Sequence, residues 1–364
     1  MGAANGLLSQ ELWSTGGGFP QEDRRHVMSV WTEFQPLKSV ILGNLFPTDE
    51  LLSQLKLRGK WADAFRYIND RSLNELDDIA NLLVSRGIEV LRPKAYQIAS
   101  LHGAAGPSLS PRDWLLVYGN VALQGNDAFP NHNIRTSSTL GIHSIPTISL
   151  PTNDIWCNGN FDDLEKNNLG RPYYHTANIL RCGNDIFYSS HPGRTGNDMG
   201  FRWMVKKLTE INPKIRFHQI TAEEHLDGTI MFIRPGLIVS MVSRDKLPDF
   251  FSKWEVITVE EPDKRKAYKT SLAHRYKKLN PIVASEYAWF MQANPEETWF
   301  TMNGLSINEN TVIFPGFDAN LFNKLEKKSI ECISVSMKAL TFWDAGLHCC
   351  TSELARSGEL EDYK

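Results

Sequence analysis

The feature that most constrains this chain is an order of elements that recurs. Ile179-Leu180 and Ile186-Phe187-Tyr188 flank a Cys182-Gly183-Asn184-Asp185 turn as a hairpin. Asn197 or Asp198 can then cap a helix with Phe201, Met204, Val205 and Leu208 on one face, and a strand follows from Ile215 to Ile220. The order returns with strands Thr229 to Ile233 and Leu237 to Val242 around Pro235-Gly236, a short helix Pro248 to Trp254, and strand Val256 to Val259. It returns again with Phe300 to Ile307, Thr311 to Phe314, a helix Asn320 to Lys328 and a strand Ile330 to Ser334. A hairpin, helix and strand cannot bury their apolar faces alone, so tandem copies predict a closed, pseudo-symmetric α/β array.

The first half reads the same way with more interruption. Leu37 to Gly43 is a strand, and Trp61 to Asn69 has helical spacing. Ser72-Leu73-Asn74-Glu75 reads as a capping box opening a second helix that Arg86-Gly87 closes, and Ile88 to Leu91 is a strand. Trp114 to Tyr118 is another strand, after which an irregular stretch rich in Asn, Asp and Pro runs to about residue 172. Loops of that length in a compact domain usually carry function. Residues 1–27, with Gly16-Gly17-Gly18 and little periodicity, read as a flexible arm, and residues 28–364 as a single domain.

Lys and Arg number 39 against 42 Asp and Glu in 364 residues, a net charge of −3 that offers no basic field for nucleic acid. The partner expected is a small molecule. Five cysteines, at 157, 182, 332, 349 and 350, show neither zinc spacing nor a secreted framework, which points to reduced thiols in the cytoplasm. The apolar runs are too short to span a bilayer, so no membrane partner is expected.

Chemistry concentrates near the end, in Gly346-Leu347-His348-Cys349-Cys350-Thr351. A Gly-x-His-Cys turn gives a thiol a flexible backbone and a neighbouring imidazole, which makes Cys349 a candidate nucleophile; a buried, inert cysteine is the competing reading. Two further stretches narrow the choice: His225-Leu226-Asp227 before a strand, and Pro111-Arg112-Asp113 before Trp114. With Glu33-Phe34-Gln35-Pro36-Leu37 and Arg181-Cys182-Gly183-Asn184-Asp185-Ile186-Phe187, they stand in an order that resembles the amidinotransferases of the pentein superfamily, over roughly residues 28 to 363.

The resemblance implies a five-bladed ββαβ propeller with its site in the central channel. It implies Cys349 as nucleophile, His225 as acid and base, Asp113 and Asp227 on a guanidinium, and Arg244 on a substrate carboxylate. A guanidinium, planar and carrying five N–H donors, suits paired carboxylates, and Arg–carboxylate pairing is bidentate. The implied reaction moves an amidino group from a guanidine donor, arginine, to an amine acceptor through an amidino-cysteine, with no cofactor or metal, in a secondary-metabolic setting. A homodimer is compatible with it. A guanidine hydrolase of the same superfamily, and a pentein that binds guanidines without turnover, are the alternatives.

Two positions depart from the family pattern. Where the family has a carboxylate that orients the histidine, this chain has His175, followed by Asn178; Asp162, Asp163 or Asn178 could substitute for it. An imidazole does not stabilise an imidazolium as a carboxylate does. Before Trp299, a Ser-Ser pair of the family becomes Glu296-Glu297, which would repel a substrate carboxylate.

Overall fold

A computed structural model gives the fold and describes residues 28–54, 58–93, 109–125, 147–151, 172–189, 195–222, 225–259, 302–343 and 345–364. Residues 1–27, Cys157, Asp162, Asp163 and Glu296-Glu297 lie outside the described residues, so the expectations placed on them stay as sequence readings.

Fifteen described strands form five three-stranded sheets on one plan: a central strand runs antiparallel to one neighbour and parallel to the other. β3 (Leu115–Tyr118) and β4 (Val121–Gln124) make a hairpin, and β5 (Thr147–Ser149) joins β4 in parallel. The next three sheets repeat it with β6 (Ile179–Cys182), β7 (Asp185–Tyr188) and β8 (Arg216–Gln219), then β9 (Ile230–Arg234), β10 (Leu237–Ser240) and β11 (Glu255–Thr258), then β12 (Leu305–Asn308), β13 (Thr311–Pro315) and β14 (Glu331–Val335). The remaining sheet closes the ring. Its central strand β1 (Leu37–Leu42) pairs in parallel with β2 (Glu89–Leu91) and antiparallel with β15 (Thr351–Arg356), the last strand of the chain. The fold is the α/β five-bladed pentein propeller.

Parallel strands need a crossover, and helices supply most of them. α1 (Thr48–Gln54) and α2 (Lys60–Ser85) link β1 to β2, α3 (Asp198–Ile211) links β7 to β8, and α4 (Ala319–Glu326) links β13 to β14. Side chains cap two of these: Asn197 accepts from the N–H of Gly200, and Asp318 from those of Asn320 and Leu321. The crossover from β10 to β11 is a 3-10 segment, Asp249–Lys253. No helix among the described residues is long and apolar enough to cross a membrane.

Three expectations need correction. The supposed capping box lies inside α2, a continuous helix, because no glycine or proline interrupts residues 60–85. Ser72 donates to the carbonyl of Ile68 at 2.8 Å and accepts from the indole of Trp343 at 3.0 Å. Glu75 instead accepts from the N–H groups of Ala339 and Leu340, capping a distant turn. The stretch after Tyr118 is not wholly irregular, since β4 and β5 lie within it. The helix expected from Pro248 is the shorter 3-10 segment already described.

Packing follows the apolar pattern. α2 buries Phe65, Ile68, Leu76, Ile79 and Leu83 against the closing sheet, each buried side chain contributing about 1.5–3 kcal/mol. Gly183, at φ +64, turns the β6–β7 hairpin where a side chain would meet the Glu361 carbonyl.

Candidate active site

The first strand of each unit is entered through a short turn, and the candidate residues sit on these entries. In four units the turn closes identically: the N–H of Asp113 donates to the carbonyl of Ser110, Asn178 to His175, Gly228 to His225, and Thr351 to His348. His175, His225 and His348 therefore occupy the same position in three units. Strands β3, β6, β9, β12 and β15 thus place Asp113, His175, His225 with Asp227, Asn303, and Cys349 around the ring.

Cys349 lies on a tight turn in which the N–H of Cys350 donates to the carbonyl of Gly346 at 2.9 Å. A Cβ on Gly346 would sit 2.2 Å from Oδ1 of Asn303, so only glycine lets the asparagine approach. That oxygen accepts the N–H of Cys349 at 3.0 Å, while Nδ2 of Asn303 faces the sulfur at 3.2 Å. Cys349 keeps 7% of its surface exposed. Cys350 is fully buried in the core, and burial pushes its thiol far above the ordinary cysteine range. All four described cysteines are free thiols.

On the other side of the sulfur stands Asp227, whose Oδ2 is 3.7 Å from Sγ. The same oxygen is 2.8 Å from Nδ1 of His348, whose Nε2 is 3.5 Å from Glu33. Burial pushes the Asp227 carboxyl up, but the hydrogen bond and charge of His348 outweigh it and hold the group below the aspartate range. Burial and the Arg112 guanidinium depress His348; its bonds to Asp227 and Glu33 outweigh them, and its value is raised. Behind His348 lies a buried ion cluster in which Arg181 donates to Glu33 at 2.7 Å and to Glu353 at 2.7 Å. Arg112 also pairs with Glu353. Burial pushes Glu33 up, but Arg181 brings it down to about 2.

His225 faces two partners. Its Nε2 lies 2.9 Å from Nδ1 of His175, and its Nδ1 lies 3.7 Å from Oδ1 of Asp113. His175 is buried and packs on Trp114, the ring centroids 5.2 Å apart. Ligand-type atoms of Asp113, His175 and His225 lie within 4.8 Å of one another, as do those of His225, Asp227 and Cys349. The two groups share His225, so a thiol and two carboxylates lie close to one imidazole, residue types suited to nucleophilic attack beside proton transfer. The same two triads have donor spacing that would also admit a divalent ion.

No family model matches the sequence. Among curated proteins, inosamine-phosphate amidinotransferase 1 of Streptomyces glaucescens is 25% identical over 197 residues, covering 53% of this chain and 49% of that protein. The chain thus matches about half the length of that relative. The mitochondrial glycine amidinotransferase of Danio rerio is 22% identical over 332 residues, covering 80% of this chain and 71% of that protein. Among solved structures, an amidinotransferase of the saxitoxin biosynthetic pathway from Microseira wollei superposes with a TM-score of 0.66 at 19% identity, covering 93% of this chain and 99% of that one. The chain is similar in sequence to amidinotransferases and shares the pentein fold.

Two named residues bond elsewhere. Arg244 is exposed on the 3-10 turn after β10, and its guanidinium donates to the carbonyl of Ser252 at 2.9 Å. The side chain of Asn178 donates to the Thr195 carbonyl at 3.0 Å, so it anchors a neighbouring loop while His175 faces His225. Sequence reading assigned no part to Asn303 or Glu353, took His348 as an imidazole beside the thiol rather than as the partner of Asp227, and held Glu33 only within a motif. Glu33 and Arg181 stood within motifs that carried the resemblance, and their pairing across the ring is what those motifs encode. Asn303 carried no local signal, because its partner lies 46 residues away.

Proposed function

We propose that this pentein transfers an amidino group from a guanidine donor, arginine or a relative of it, to an amine acceptor. The observation that supports the reading is that donor atoms of Cys349, His225 and Asp227 lie within 4.8 Å of one another, with Asp113 3.7 Å from Nδ1 of His225. Asp113 and Asp227 accept from the guanidinium N–H groups, fixing the cation and drawing positive charge toward its carbon. The Cys349 thiolate attacks that carbon to form the C–S bond. As the tetrahedral adduct collapses, His225 protonates the departing amine, the C–N bond breaks and an amidino-cysteine remains. An acceptor amine then attacks the same carbon, gives a proton to His225 and displaces the thiolate. Both half-reactions share one intermediate, so the kinetics are ping-pong.

Arg244 takes the substrate carboxylate in this scheme and has to give up or share its bond to Ser252 to do so. His175 orients His225 through the ring–ring hydrogen bond. The test is intact mass after incubation with arginine. A single adduct of the mass of an amidino group, mapped to Cys349 and discharged by an amine with formation of a new guanidine, supports transfer. Citrulline or urea-type products without need of an amine identify a hydrolase, and saturable arginine binding with no adduct identifies a binding protein.

A further inference from the structure

We propose that Asn303 is a positioning residue for Cys349, fixing the backbone of the nucleophile with its amide oxygen and stabilising the thiolate with its amide N–H. The proposal rests on the reading of Cys349 as the nucleophile. A backbone N–H can only donate, so the amide atom 3.0 Å from the N–H of Cys349 is oxygen; the atom 3.2 Å from Sγ is therefore the NH2 group. A donor aimed at sulfur favours the charged form, because hydrogen bonds to an ionised acceptor are the stronger ones. Its effect opposes that of Asp227, whose Oδ2 at 3.7 Å disfavours a second negative charge. Asn303 is fully buried, and its main-chain carbonyl accepts the N–H of His348 at 3.1 Å. Gly346 packs directly against the amide, where a Cβ would approach within 2.8 Å of the Asn303 Cβ, so the side chain has little freedom to turn away. Backbone and side chain of Asn303 thus grip two consecutive residues, His348 and Cys349, and set where the sulfur points.

The test is the pH profile of Cys349 alkylation by iodoacetamide in the full chain, read by peptide mass. Asn303→Asp keeps an acceptor for the Cys349 N–H but replaces the donor by a carboxylate. Its profile is expected to move up by about one pH unit or more, slowing alkylation near neutrality by about tenfold. Asn303→Ala should move it in the same direction by less. Profiles coincident with the parent in folded Asn303→Asp would overturn the proposal, and this near-isosteric variant decides if Asn303→Ala does not fold. Alkylation needs no guanidine, so a normal Asn303 shift with no arginine adduct would count against amidino transfer alone. An unshifted profile with a normal adduct would count against Asn303 alone.

Discussion

Nδ1 of His175 lies 2.9 Å from Nε2 of His225, a hydrogen bond between two imidazoles on equivalent turns of neighbouring units. One ring must donate and the other accept, and a carboxylate in place of the His175 ring would balance a proton on His225 more fully than an imidazole does. His175→Asp would supply that balance and hold His225 in one orientation. The expected outcome is faster formation of the arginine adduct, read by stopped-time mass spectrometry. A slower reaction would show that His175 shapes the space for another substrate.

Cys349 and Cys350 are adjacent but not equivalent, since Cys350 packs in the core with its thiol pushed up by burial. Cys349→Ser is expected to abolish the adduct. Cys350→Ala should keep most of the activity while losing about 1–2 kcal/mol of stability to the small cavity. Equal loss of adduct in both variants would remove the assignment.

The two carboxylates proposed to hold the guanidinium should separate in a stability measurement. Asp227 is buried and bonded to His348, so Asp227→Asn removes the nearer of the two carboxylates on that ring and is expected to cost about 1–3 kcal/mol in denaturant unfolding. Asp113 keeps 16% of its side chain exposed, and Asp113→Asn should cost on the order of 1 kcal/mol. Both should lower kcat/KM for arginine, by on the order of a hundredfold or more. Near-normal turnover in both would place the guanidinium elsewhere.

The ion triad of Glu33, His348 and Asp227 predicts a two-sided pH dependence of stability. His348 is raised above its ordinary 6.5, so its contribution is complete below that pH and fades as pH rises through the folded value. Asp227 is held below its ordinary 3.8, so its contribution is present above that pH and fades as pH falls through the depressed value. Melting temperatures measured from acidic to alkaline buffers should fall on both sides, and His348→Gln should flatten the alkaline limb at a lower plateau. An unchanged alkaline limb in that variant would remove His348 from the account.

Much of the ring was legible in the sequence because hairpins and amphipathic helices write their periodicity locally. The strands around Gly183 and Gly236 and the helix capped by Asn197 needed no long-range information. β5 has three residues and, among the described residues, pairs with β4 alone, in parallel, so no turn or alternation announces it. The Ser72–Glu75 spacing misled because a capping box is defined by backbone conformation as well as by sequence, and the helix runs through it. The cluster itself was reached only through a resemblance: Asp113, His225 and Cys349 meet by ring closure, which local pattern does not record. Asn303 and the bond of His348 to Asp227 were missed for that reason, since both contacts join turns of different units.

β15 belongs to the first sheet yet follows the other four units in sequence, and Cys349 stands two residues ahead of it. The thiol reaches Asp227 and Asn303 only when residues 351–356 dock beside β1. Loosening that one strand would therefore carry the Cys349 sulfur away from both neighbours, so the edge between β1 and β15 sets the geometry on one side of the candidate site.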